Sequence, residues 1–527
     1  MLLLLAVICG NVYALQGSTA ANGSNAQAVH ELGITGKGVK IGLITGRNAL
    51  ATHLAFLDAN GVTGVFNHDY TGDGIAYTYH DTPFAGIIKS RGSSGHPNDI
   101  GVAPDAEIHC GRVVTNSNSI SLPQLKDTLN GLIVTYGCKV IVTGIQLPSD
   151  VDPNWSRMYD YYAELYDVVF ANAAGNYIYD PCTGITAQDI TVFGDGYNGI
   201  TTGGLEDPIA NDYSRVGDIT CLGPTIDGRR KPDVMAPATN QVAPGYSSDS
   251  NNYWYTTSSS GATSWAVPHT AGVAALLLEY TNQTTELDDS HNEVIKAVIV
   301  NSTFPNIDSK AGNPTNPADP NNTWNNERGY GRIDALRSLD TLSVGKVNKG
   351  TTAITSTAGW AYDTISSSST HTYLIAGKKN ERFVLTVTWN RLMTKSGSKY
   401  LDETSPFNID VTVENPASEV IFDENDILNN LIKVDLLLPA DGNYTVSLSN
   451  TTSKSRPYGL AFELLPSLTG DFNVDYTVDE YDLSQIALEW LTAGVEADIF
   501  PDGRVNNLDF VIFADNWLKI DNRYFTP

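Results

Sequence analysis

Basic residues are scarce in this chain. Its 527 residues include 32 Lys and Arg against 59 Asp and Glu, which gives a formal net charge of −27. A surface of this sign repels the phosphates of nucleic acids and the headgroups of anionic membranes. We therefore expect no nucleic-acid partner and no membrane-surface partner. The balance fits an extracellular protein, although it would also suit many other soluble proteins.

Long apolar runs are scarce as well. The run at the start, MLLLLAVICG, is followed by Val12-Tyr13-Ala14, and this pattern predicts a signal peptide of residues 1–14, cleaved after Ala14 or near it. The run is too short for a transmembrane anchor, and no second stretch is long enough to span a bilayer. The sequence thus predicts an extracellular protein that is secreted or tethered at the cell surface.

Cysteine is the third rarity. Cys9 leaves with the predicted signal peptide, and Cys110, Cys138, Cys182 and Cys221 remain. An even number of cysteines in an exported chain permits two disulfides, and four buried free thiols are the alternative. No Cys-x-x-Cys spacing indicates a metal site.

Apolar runs alternate with helical segments over residues 25–343. The runs KIGLI, VIVTGI and VVFANAA are short and continuous, which is typical of a parallel sheet covered on both faces. LPQLKDTLNGLIVTYG and the run after Ser264 indicate helices. This alternation predicts an α/β domain with helices on both faces of the sheet. The length of the chain leaves room for one or two further domains.

The pattern changes at about residue 345. Six segments alternate apolar and polar residues, with turn residues between them: HTYLIAG, RFVLTVTW, FNIDVTVEN, LIKVDLLLP, NYTVSLSN and YGLAFELL. This period of two predicts half-buried strands. We therefore expect an antiparallel β-sandwich over residues 345–466.

Residues 469–522 contain a repeat with a period of 27. Each copy has an acidic loop followed by a helix, DLSQIALEWL in the first copy and DFVIFADNWL in the second. Oxygen ligands at loop positions one, three, five, seven and twelve suit Ca²⁺. The first loop offers Asp471, Asn473, Asp475, the Thr477 carbonyl and Asp482. The second loop offers Asp498, Asp502, the Arg504 carbonyl and Asp509.

These two copies predict a small calcium-folded α-helical module. Trp490 and Leu491 of the first helix, and Trp517 and Leu518 of the second, are expected to bury against each other, because so small a module has little other core. Phe500 deprives the second loop of one side-chain ligand, so this loop should bind Ca²⁺ more weakly. Acidic helix-capping loops without metal are the alternative.

The serine at position 264 has the surroundings of a nucleophile. Small residues precede it in SGATSWAVPHTAG, residues 260–272, and VAALLLEY after it indicates a buried helix. A hydroxyl at a helix N-terminus lies beside unpaired backbone N–H groups that can stabilise a developing oxyanion. A serine that only caps a core helix is the alternative.

Several segments, in one order, resemble the subtilisin-like serine peptidases (subtilases). ATSWAVPHTAG resembles their nucleophile motif GTSxAxPHxxG, with Ala262 in place of the first glycine. HDTPFAG at 80–86 resembles the histidine block HGTHVAG, and AAGN at 173–176 matches the oxyanion segment. GKGVKIGLI at 36–44 resembles the first sheet strand. The resemblance spans roughly residues 25–343, and it implies Ser264 as nucleophile, His80 as general base and Asn176 as oxyanion donor.

The catalytic aspartate of that family is missing from its usual place. The ungapped match puts Thr45 where the family's first strand ends in Asp. Thr45 can accept a hydrogen bond but carries no charge, and loss of the Asp alone in subtilisin lowers turnover on the order of 10⁴-fold. Asp58, Asp69 and Asp73 follow that strand, and Asp81 directly follows the histidine. Adjacent side chains diverge on a helix, so we do not expect Asp81 to replace the missing group.

Three other departures from the family pattern bear on activity. Pro83 stands at the second His of HGTHVAG, in the first turn of a helix, where proline is tolerated. Gln146 stands at a glycine of the strand that pairs with an extended substrate, and we expect it to narrow that groove. No stretch of about 70 residues precedes the catalytic region, so the usual folding propeptide is expected to be absent.

The family's order of segments would pair the four cysteines as neighbours, first with second and third with fourth.

The C-terminal parts also resemble known modules. NN at 429–430 and PADGNY at 439–444 resemble the β-sandwich that follows the catalytic domain in some secreted subtilases. The duplicated loop-helix unit resembles a dockerin, and Asp at position twelve fits dockerins better than sensor EF-hands. A dockerin implies docking onto a cohesin-type partner through its helices.

We therefore predict a secreted subtilase-like endopeptidase, tethered by a dockerin-like module and acting on a peptide or protein substrate. The chief alternative is a catalytically impaired or dead subtilase scaffold that binds peptides or displays its sandwich. A carbohydrate-active enzyme is a third hypothesis, since dockerins often accompany such enzymes, but it does not explain the ordered peptidase segments.

Overall fold

The computed structural model of the protein describes residues 15–148, 152–179, 186–187, 189–208, 212–247, 249–256, 261–312, 323–466, 468–472, 478, 480–492, 497–500 and 503–517. The predicted signal peptide lies outside these residues, as do Cys182, Asn473, Asp475, Thr477, Asp502 and Leu518. Within the described ranges, no helix is both long enough and apolar enough to cross a bilayer.

Residues 15–344 alternate strands and helices, as the sequence pattern predicts. The helices are α1 Leu15–Thr19, α2 Ala26–Glu31, α3 Asp81–Lys89, α4 Leu122–Leu129, α5 Asn154–Tyr166, α6 Thr263–Thr281, α7 Asn292–Asn301 and α8 Ala335–Val344. A 3₁₀ turn at Leu54–Phe56 and a π-helical turn at Asn130–Thr135 accompany them. The strands are β1 Lys40–Thr45, β2 Val65–Asp69, β3 Arg91–Ser93, β4 His96–Ile100, β5 Glu107–Arg112, β6 Val140–Thr143, β7 Val169–Ala173, β8 Ile178–Tyr179, β9 Thr186–Ala187, β10 Ile200–Glu206, β11 Arg215–Val216, β12 Val234–Pro237, β13 Val242–Pro244 and β14 Tyr253–Tyr255.

Eight of these strands form the central sheet. Seven follow the order β11-β10-β7-β6-β1-β5-β2, and β12 pairs with β10. Every pairing is parallel except that of β10 with β11. The predicted runs KIGLI, VIVTGI and VVFANAA coincide with β1, β6 and β7 to within two residues at either end, so the predicted α/β fold is confirmed. Because these strands run in the same direction, the loops that follow them meet at one edge of the sheet.

Helix α6 runs almost entirely through the interior. All of its residues except Tyr280 are buried, and its apolar side chains share one core with those of β1, β6 and β7. Gly272 permits a close approach to the loop before β5, since a Cβ at this position would lie 2.5 Å from the Val102 side chain. The burial of the whole helix fixes the position of its N-terminus relative to the sheet.

Residues 345–466 form two sheet layers and a separate hairpin. The strands are β15 Ala353–Ile354, β16 Ala358–Ile365, β17 Ser369–Gly377, β18 Arg382–Thr388, β19 Met393–Ser396, β20 Lys399–Asp402, β21 Asp410–Glu414, β22 Val420–Glu424, β23 Leu431–Leu437, β24 Gly442–Asn450 and β25 Arg456–Leu465. One sheet has the order β15-β17-β24-β21-β22 and the other β16-β25-β18-β23, and β19 pairs with β20 in the hairpin. Every strand pairing is antiparallel except that of β15 with β17. Their inner side chains form one core, which includes Tyr373, Val446, Leu385 and Phe462. The six predicted strands are all present, and five further strands, β15, β16, β19, β20 and β22, are additions that the sequence pattern does not predict.

The second of these sheets lies directly on the α/β domain. Gly459 of β25 lets α7 approach closely, because a Cβ there would lie 2.4 Å from the Glu293 carbonyl group. Lys433 donates to carbonyl groups of the last turn of α7, and Arg337 of α8 forms a buried ion pair with Glu463 at 2.8 Å. Buried charges that are paired across two layers oppose their separation. We infer that the sandwich and the α/β domain fold as one unit.

Two short helices end the described chain, α9 Glu480–Glu489 and α10 Asn507–Asn516. They share a small core of Val478, Ile486, Ala497, Val505 and Phe513. The prediction that the Trp-Leu pairs would form this core is wrong for its three described members, because Trp490 is 37%, Leu491 71% and Trp517 38% exposed. Each of them lies beyond the end of its helix, and Leu491 turns away with a φ of +60°.

Three of the four remaining cysteines are buried free thiols, namely Cys110, Cys138 and Cys221. The disulfides that the family order would give are therefore wrong. Cys110 packs into the core on one face of the sheet, whereas Cys138 belongs to the core on the opposite face. Burial raises the pKa of the Cys138 and Cys221 thiols to about 12, so these thiols remain protonated at neutral pH.

The close contact at Gly459 gives a direct test of the shared interface. We expect Gly459→Val to lower the free energy of unfolding by about 3 kcal/mol, because the new side chain must displace the backbone of α7. Thermal unfolding of the full chain measures this, with Ser447→Ala on the other sheet as the control. If the change destabilised the sandwich alone and left the α/β domain intact, the two would not fold as one unit.

Candidate active site

The carboxyl edge of the parallel sheet brings the predicted catalytic residues together from separate elements. Thr45 is the last residue of β1, and Asn176 follows β7 by three residues. His80 immediately precedes α3, and Ser264 is the second residue of α6. The His80 ring lies 5.0 Å, centroid to centroid, from the ring of Trp265, the neighbour of the serine.

Ser264 lies in the first turn of α6 and is 4% exposed. Its backbone N–H is one of the first four of the helix, which have no partner within the helix. Ala262, at the position of the motif's glycine, has φ −156° and ψ 149°. This is extended backbone that any residue adopts, so the alanine leaves the start of the helix undisturbed.

Hydrogen bonds to the residue before the serine orient the Asn176 amide. Asn176 Oδ1 accepts from the Thr263 backbone N–H at 2.8 Å and from the Thr263 hydroxyl at 3.0 Å. A backbone N–H can only donate, so the amide atom that faces it must be the oxygen. The two N–H donors of the amide therefore occupy its other corner. This arrangement supplies a donor for an oxyanion beside the first turn of α6.

The His80 ring has a carboxylate next to it. His80 Nδ1 lies 3.2 Å from Asp81 Oδ1, and the Asp81 side chain is 3% exposed. The other carboxylate oxygen accepts from the Arg47 N–H at 2.8 Å and from the Thr78 hydroxyl at 2.7 Å. These bonds hold the Asp81 side chain toward the preceding turn. The expectation that the two neighbouring side chains would diverge is therefore wrong.

Thr45 does not contact the imidazole through a hydrogen bond. Its hydroxyl donates to the Gly111 carbonyl of β5 at 3.2 Å, and no bond joins it to His80 in the part of the chain that the structure describes. Arg47, whose N–H holds Asp81, comes only two residues after Thr45. The carboxylate thus lies against the chain that leaves β1, although it belongs to another element. An acidic residue in the first turn of a helix is a recognised stabilising position, and that sequence signal draws attention to Asp81.

The other three candidate carboxylates are bound to other groups, Asp58 and Asp69 within their own loops and Asp73 at a neighbouring segment. Asp58 accepts from the Asn60 and Val62 N–H groups. Asp69 accepts from Thr71 and Gly74. Asp73 accepts from the Asn116 N–H and lies 3.5 Å from the Arg112 guanidinium. Asp81 is therefore the acidic side chain that the fold brings to the histidine.

Aromatic rings confine the imidazole. His80 stacks near Phe84 at 5.9 Å, and Trp265 packs in turn on Trp254 at 4.4 Å. Among the described residues, no hydrogen bond joins the Ser264 hydroxyl to the His80 ring. Such bonds are often long in the absence of substrate and tighten when it binds.

Two departures from the family pattern, Pro83 and Gln146, lie next to the site. Pro83 is the third residue of α3, where a backbone N–H would have no partner within the helix in any case. The Gln146 side chain crosses from the segment after β6 to the loop after β7, where its Oε1 accepts from the Asn176 N–H at 2.8 Å. A side chain therefore joins these two segments, and the narrowing of a substrate groove by Gln146 stays a prediction.

One group of potential metal ligands occurs among the described residues, formed by Asp167, His291 and Glu293. His291 Nδ1 lies 2.7 Å from Asp167 Oδ2, and Glu293 accepts from Asn390 at 2.9 Å. His291 also stacks on Tyr362 of the sandwich at 3.9 Å. These contacts satisfy the group within the interface of the two domains, so no metal is needed to explain it.

The predicted calcium loops are described in part. The carboxylates at position twelve, Asp482 and Asp509, are fully buried and accept from the N–H groups of Phe472 at 2.6 Å and Phe500 at 2.8 Å. Asp471 is also buried. Each loop therefore directs acidic oxygens inward, which fits the donor set of a hard cation. Asp498 of the second loop accepts from the Gly503 N–H at 3.0 Å, and Arg504 lies in a described turn. Asn473, Asp475, Thr477 and Asp502 lie outside the described residues.

Known proteins are similar to this chain over its α/β region. The sequence model of the subtilase family matches residues 36–331. The serine protease AprX of Bacillus subtilis (strain 168) is 26% identical over 318 residues, which cover 53% of this chain and 65% of that protein.

Similar solved structures include three proteases. The prenylagaramide maturation protease PagA has a TM-score of 0.43 at 16% identity over 60% of this chain and 98% of its own. The protease domain of PatA has a TM-score of 0.44 at 17% identity over 59% and 98%. A cold adapted subtilisin-like serine proteinase has a TM-score of 0.38 at 20% identity over 54% and 88%.

The family match supports the identity of the fold. It begins just before β1 and ends just before α8, so it takes in the central sheet and all the elements at its carboxyl edge. Since residues 36–331 make up more than half of this chain, it belongs to the subtilase family.

Proposed function

We propose that this protein is an exported serine endopeptidase that hydrolyses peptide bonds through an acyl-enzyme. The observation that carries the proposal is the pair of hydrogen bonds from Thr263 to Asn176, since it sets amide donors beside the first turn of α6. Family membership supports the same chemistry.

Each residue of the site has one task in this reaction. The Ser264 hydroxyl attacks the carbonyl carbon of the substrate, and His80 takes its proton and returns it to the leaving amine. The Asn176 amide and the Ser264 N–H stabilise the negative oxygen of the tetrahedral intermediate. Water then hydrolyses the acyl-enzyme by the same steps in reverse order.

Asp81, rather than Thr45, orients His80 in this proposal. A carboxylate that accepts from Nδ1–H leaves Nε2 as the base and stabilises the imidazolium that forms during acyl transfer. The Arg47 and Thr78 bonds hold this carboxylate in place. The role that a strand residue has in the family thus passes to the first residue of α3.

The opposing hypothesis is an inactive scaffold that binds peptides. It is favoured by the threonine at position 45 and by the lack of a Ser264–His80 hydrogen bond among the described residues. A phosphonofluoridate probe distinguishes the two hypotheses, since it labels only an activated serine. Labelling that disappears in Ser264→Ala supports the peptidase, and absence of labelling in the unmodified chain supports the scaffold.

The role of Asp81 gives the first kinetic prediction. We expect Asp81→Asn to lower kcat on the order of 10⁴-fold, because the imidazolium loses its counter-charge. Asp69→Asn is the matched control and should retain most of the activity. Hydrolysis of a peptide anilide at saturating substrate measures both. Equal activity of Asp81→Asn and the unmodified chain would remove Asp81 from the mechanism.

The second prediction concerns moving the carboxylate from position 81 to position 45 by substitution. Thr45→Asp alone should change kcat by less than about tenfold, because Asp81 already serves the histidine. In the Asp81→Asn background, the same change should restore kcat by about tenfold or more, since it returns a carboxylate to the end of β1. Failure of this rescue, together with full activity of Asp81→Asn, would mean that no carboxylate orients His80.

The Gln146 side chain gives a prediction about substrate choice. Gln146→Gly opens the space between the segments after β6 and β7, so we expect faster cleavage of substrates with a large side chain beside the scissile bond, relative to substrates with glycine there. A rise of about tenfold in this ratio of kcat/KM is expected for the loss of a blocking side chain. Asn176→Ala is the control, because loss of an oxyanion donor lowers both rates alike.

We also propose that residues 469–522 form a calcium-binding, dockerin-like tether for a cohesin-type partner. The duplicated loops with buried carboxylates support calcium binding. The exposed apolar side chains of the two helices and their ends support docking, and they include Leu488, Trp490, Leu491, Phe510, Val511 and Trp517. Exposed apolar patches on a small module mark interaction surfaces.

Calcium titration of the full chain tests this tether. We expect binding after chelator treatment, with Asp471→Ala weakening it more than Asp498→Ala, because the first loop has the fuller ligand set. Removal of a ligand should weaken binding about tenfold or more, as measured by isothermal titration calorimetry. Asp515→Ala, an exposed carboxylate of α10, is the matched control. No heat of binding at millimolar Ca²⁺ would leave the loops as plain acidic turns.

A further inference from the structure

The first described residue makes an unusual contact for a residue near a predicted cleavage site. The backbone N–H of Leu15 donates to Asp99 Oδ1 at 2.8 Å, and both partners are buried. The Leu15 side chain is also fully buried in the main core. Leu15 is therefore buried in the fold and does not lie on its surface.

Among the described residues, His96 is the one basic side chain that contacts the Asp99 carboxylate. Asp99 lies in β4 and is 6% exposed. Its second oxygen lies 2.7 Å from His96 Nδ1, and the His96 ring stacks on Tyr253 at 3.7 Å. Burial raises the pKa of Asp99 above its ordinary value, and the bonds from His96 and Leu15 oppose that effect. A buried carboxylate is costly unless a cation compensates it.

Cleavage of the predicted signal peptide would supply that cation. Hydrolysis after Ala14 breaks the bond between its carbonyl carbon and the Leu15 nitrogen and adds one molecule of water. A carboxylate remains on Ala14 and an α-ammonium group on Leu15. The ordinary pKa of such a group is about 8, so it is mostly charged at neutral pH.

We propose that the bond between Ala14 and Leu15 is the processing site, and that the new α-ammonium of Leu15 forms a buried ion pair with Asp99. The enzyme that cuts is of the signal-peptidase class in the exporting cell. The inference does not depend on the peptidase activity of this chain. The α-ammonium group would compensate the buried negative charge of Asp99, which a neutral amide N–H does only in part.

The surrounding contacts favour this bond over its neighbours. Gln16 is exposed, whereas Leu15, Gly17, Ser18 and Thr19 are buried. The Ser18 hydroxyl donates to the Leu15 carbonyl at 3.0 Å. Cleavage one residue later would remove both the buried Leu15 side chain and the nitrogen that faces Asp99.

The ion pair would also stabilise α3, at whose N-terminal end His80 and Asp81 lie. The Ser90 hydroxyl, at the end of α3, donates to the Asp99 carbonyl at 2.5 Å, and the Gly101 N–H donates to the Ser90 carbonyl at 2.8 Å. Because Asp99 belongs to β4, the bond from the Leu15 nitrogen stabilises the hairpin of β3 and β4 that follows α3. Processing would stabilise the C-terminal end of the helix whose other end holds His80 and Asp81.

The experiment begins with the secreted protein expressed from the full sequence. N-terminal sequencing should give Leu-Gln-Gly-Ser-Thr. The same result is expected for Ser264→Ala, because the cut does not come from the active site of this chain. A different first residue in the unmodified protein would overturn the proposed site, and loss of processing in Ser264→Ala would assign the cut to self-cleavage and overturn the signal-peptidase step.

Reactivity of the terminal amine tests the ion pair. We compare chains that start at Leu15 and at Ala14, prepared from a cleavable N-terminal fusion, and measure acylation of the α-amine near neutral pH. The amine of Leu15 should react at least about tenfold more slowly, since a pKa raised by one unit leaves one tenth as much free amine. Asp99→Asn should remove this protection.

The comparison remains decisive if Asp99→Asn does not fold. The two starting points differ by one residue, and only one of them places its amine at the carboxylate. Equal acylation rates for the folded chains that start at Leu15 and Ala14 would overturn the ion pair. The groups that titrate beside this amine are Asp99, His96 and Tyr253, and they are present in both chains.

Discussion

The buried position of helix α6 is the constraint on which the site depends. Since all of its residues but one are buried, the helix cannot shift or rotate without disturbing the core shared with the parallel sheet. Its first turn is therefore held at the carboxyl edge, where Thr263 binds the Asn176 amide. Ser264 and Asn176 therefore obtain their relative positions from this packing and from the bond between Thr263 and Asn176.

The histidine obtains its orientation in a less direct way. In the family pattern, one strand supplies the carboxylate, whereas in the proposed site the strand ends in Thr45 and the carboxylate is that of Asp81, at the start of α3. The Arg47 N–H closes this gap, because it belongs to the chain that leaves β1 and binds the Asp81 side chain. The Arg47 N–H thus connects the end of β1, where the family has its aspartate, to the Asp81 carboxylate.

The sandwich contributes to the same architecture. It covers α7 and α8, and buried charged side chains of both domains bind across the interface: Lys433 of the sandwich donates to α7, and Arg337 of α8 donates to Glu463 of the sandwich. Such contacts are costly to open because each would leave an unpaired charge or donor in the interior. The C-terminal helices differ, since they have a separate small core and leave large apolar side chains at the surface. The packing therefore separates two domains that share a buried interface from a C-terminal module that has its own core.

The sequence by itself determined the α/β order of elements, the six main strands of the sandwich and the identity of Ser264, His80 and Asn176 as site candidates, because periodicity and ordered motifs record local structure and lineage. Only the tertiary structure decided which carboxylate meets His80, since the side-chain direction of Asp81 follows from its bonds to Arg47 and Thr78. It also decided against the disulfides, because the sheet separates Cys110 from Cys138. Contacts between distant segments have no signature in local pattern, and the bond from Leu15 to Asp99 is a further example.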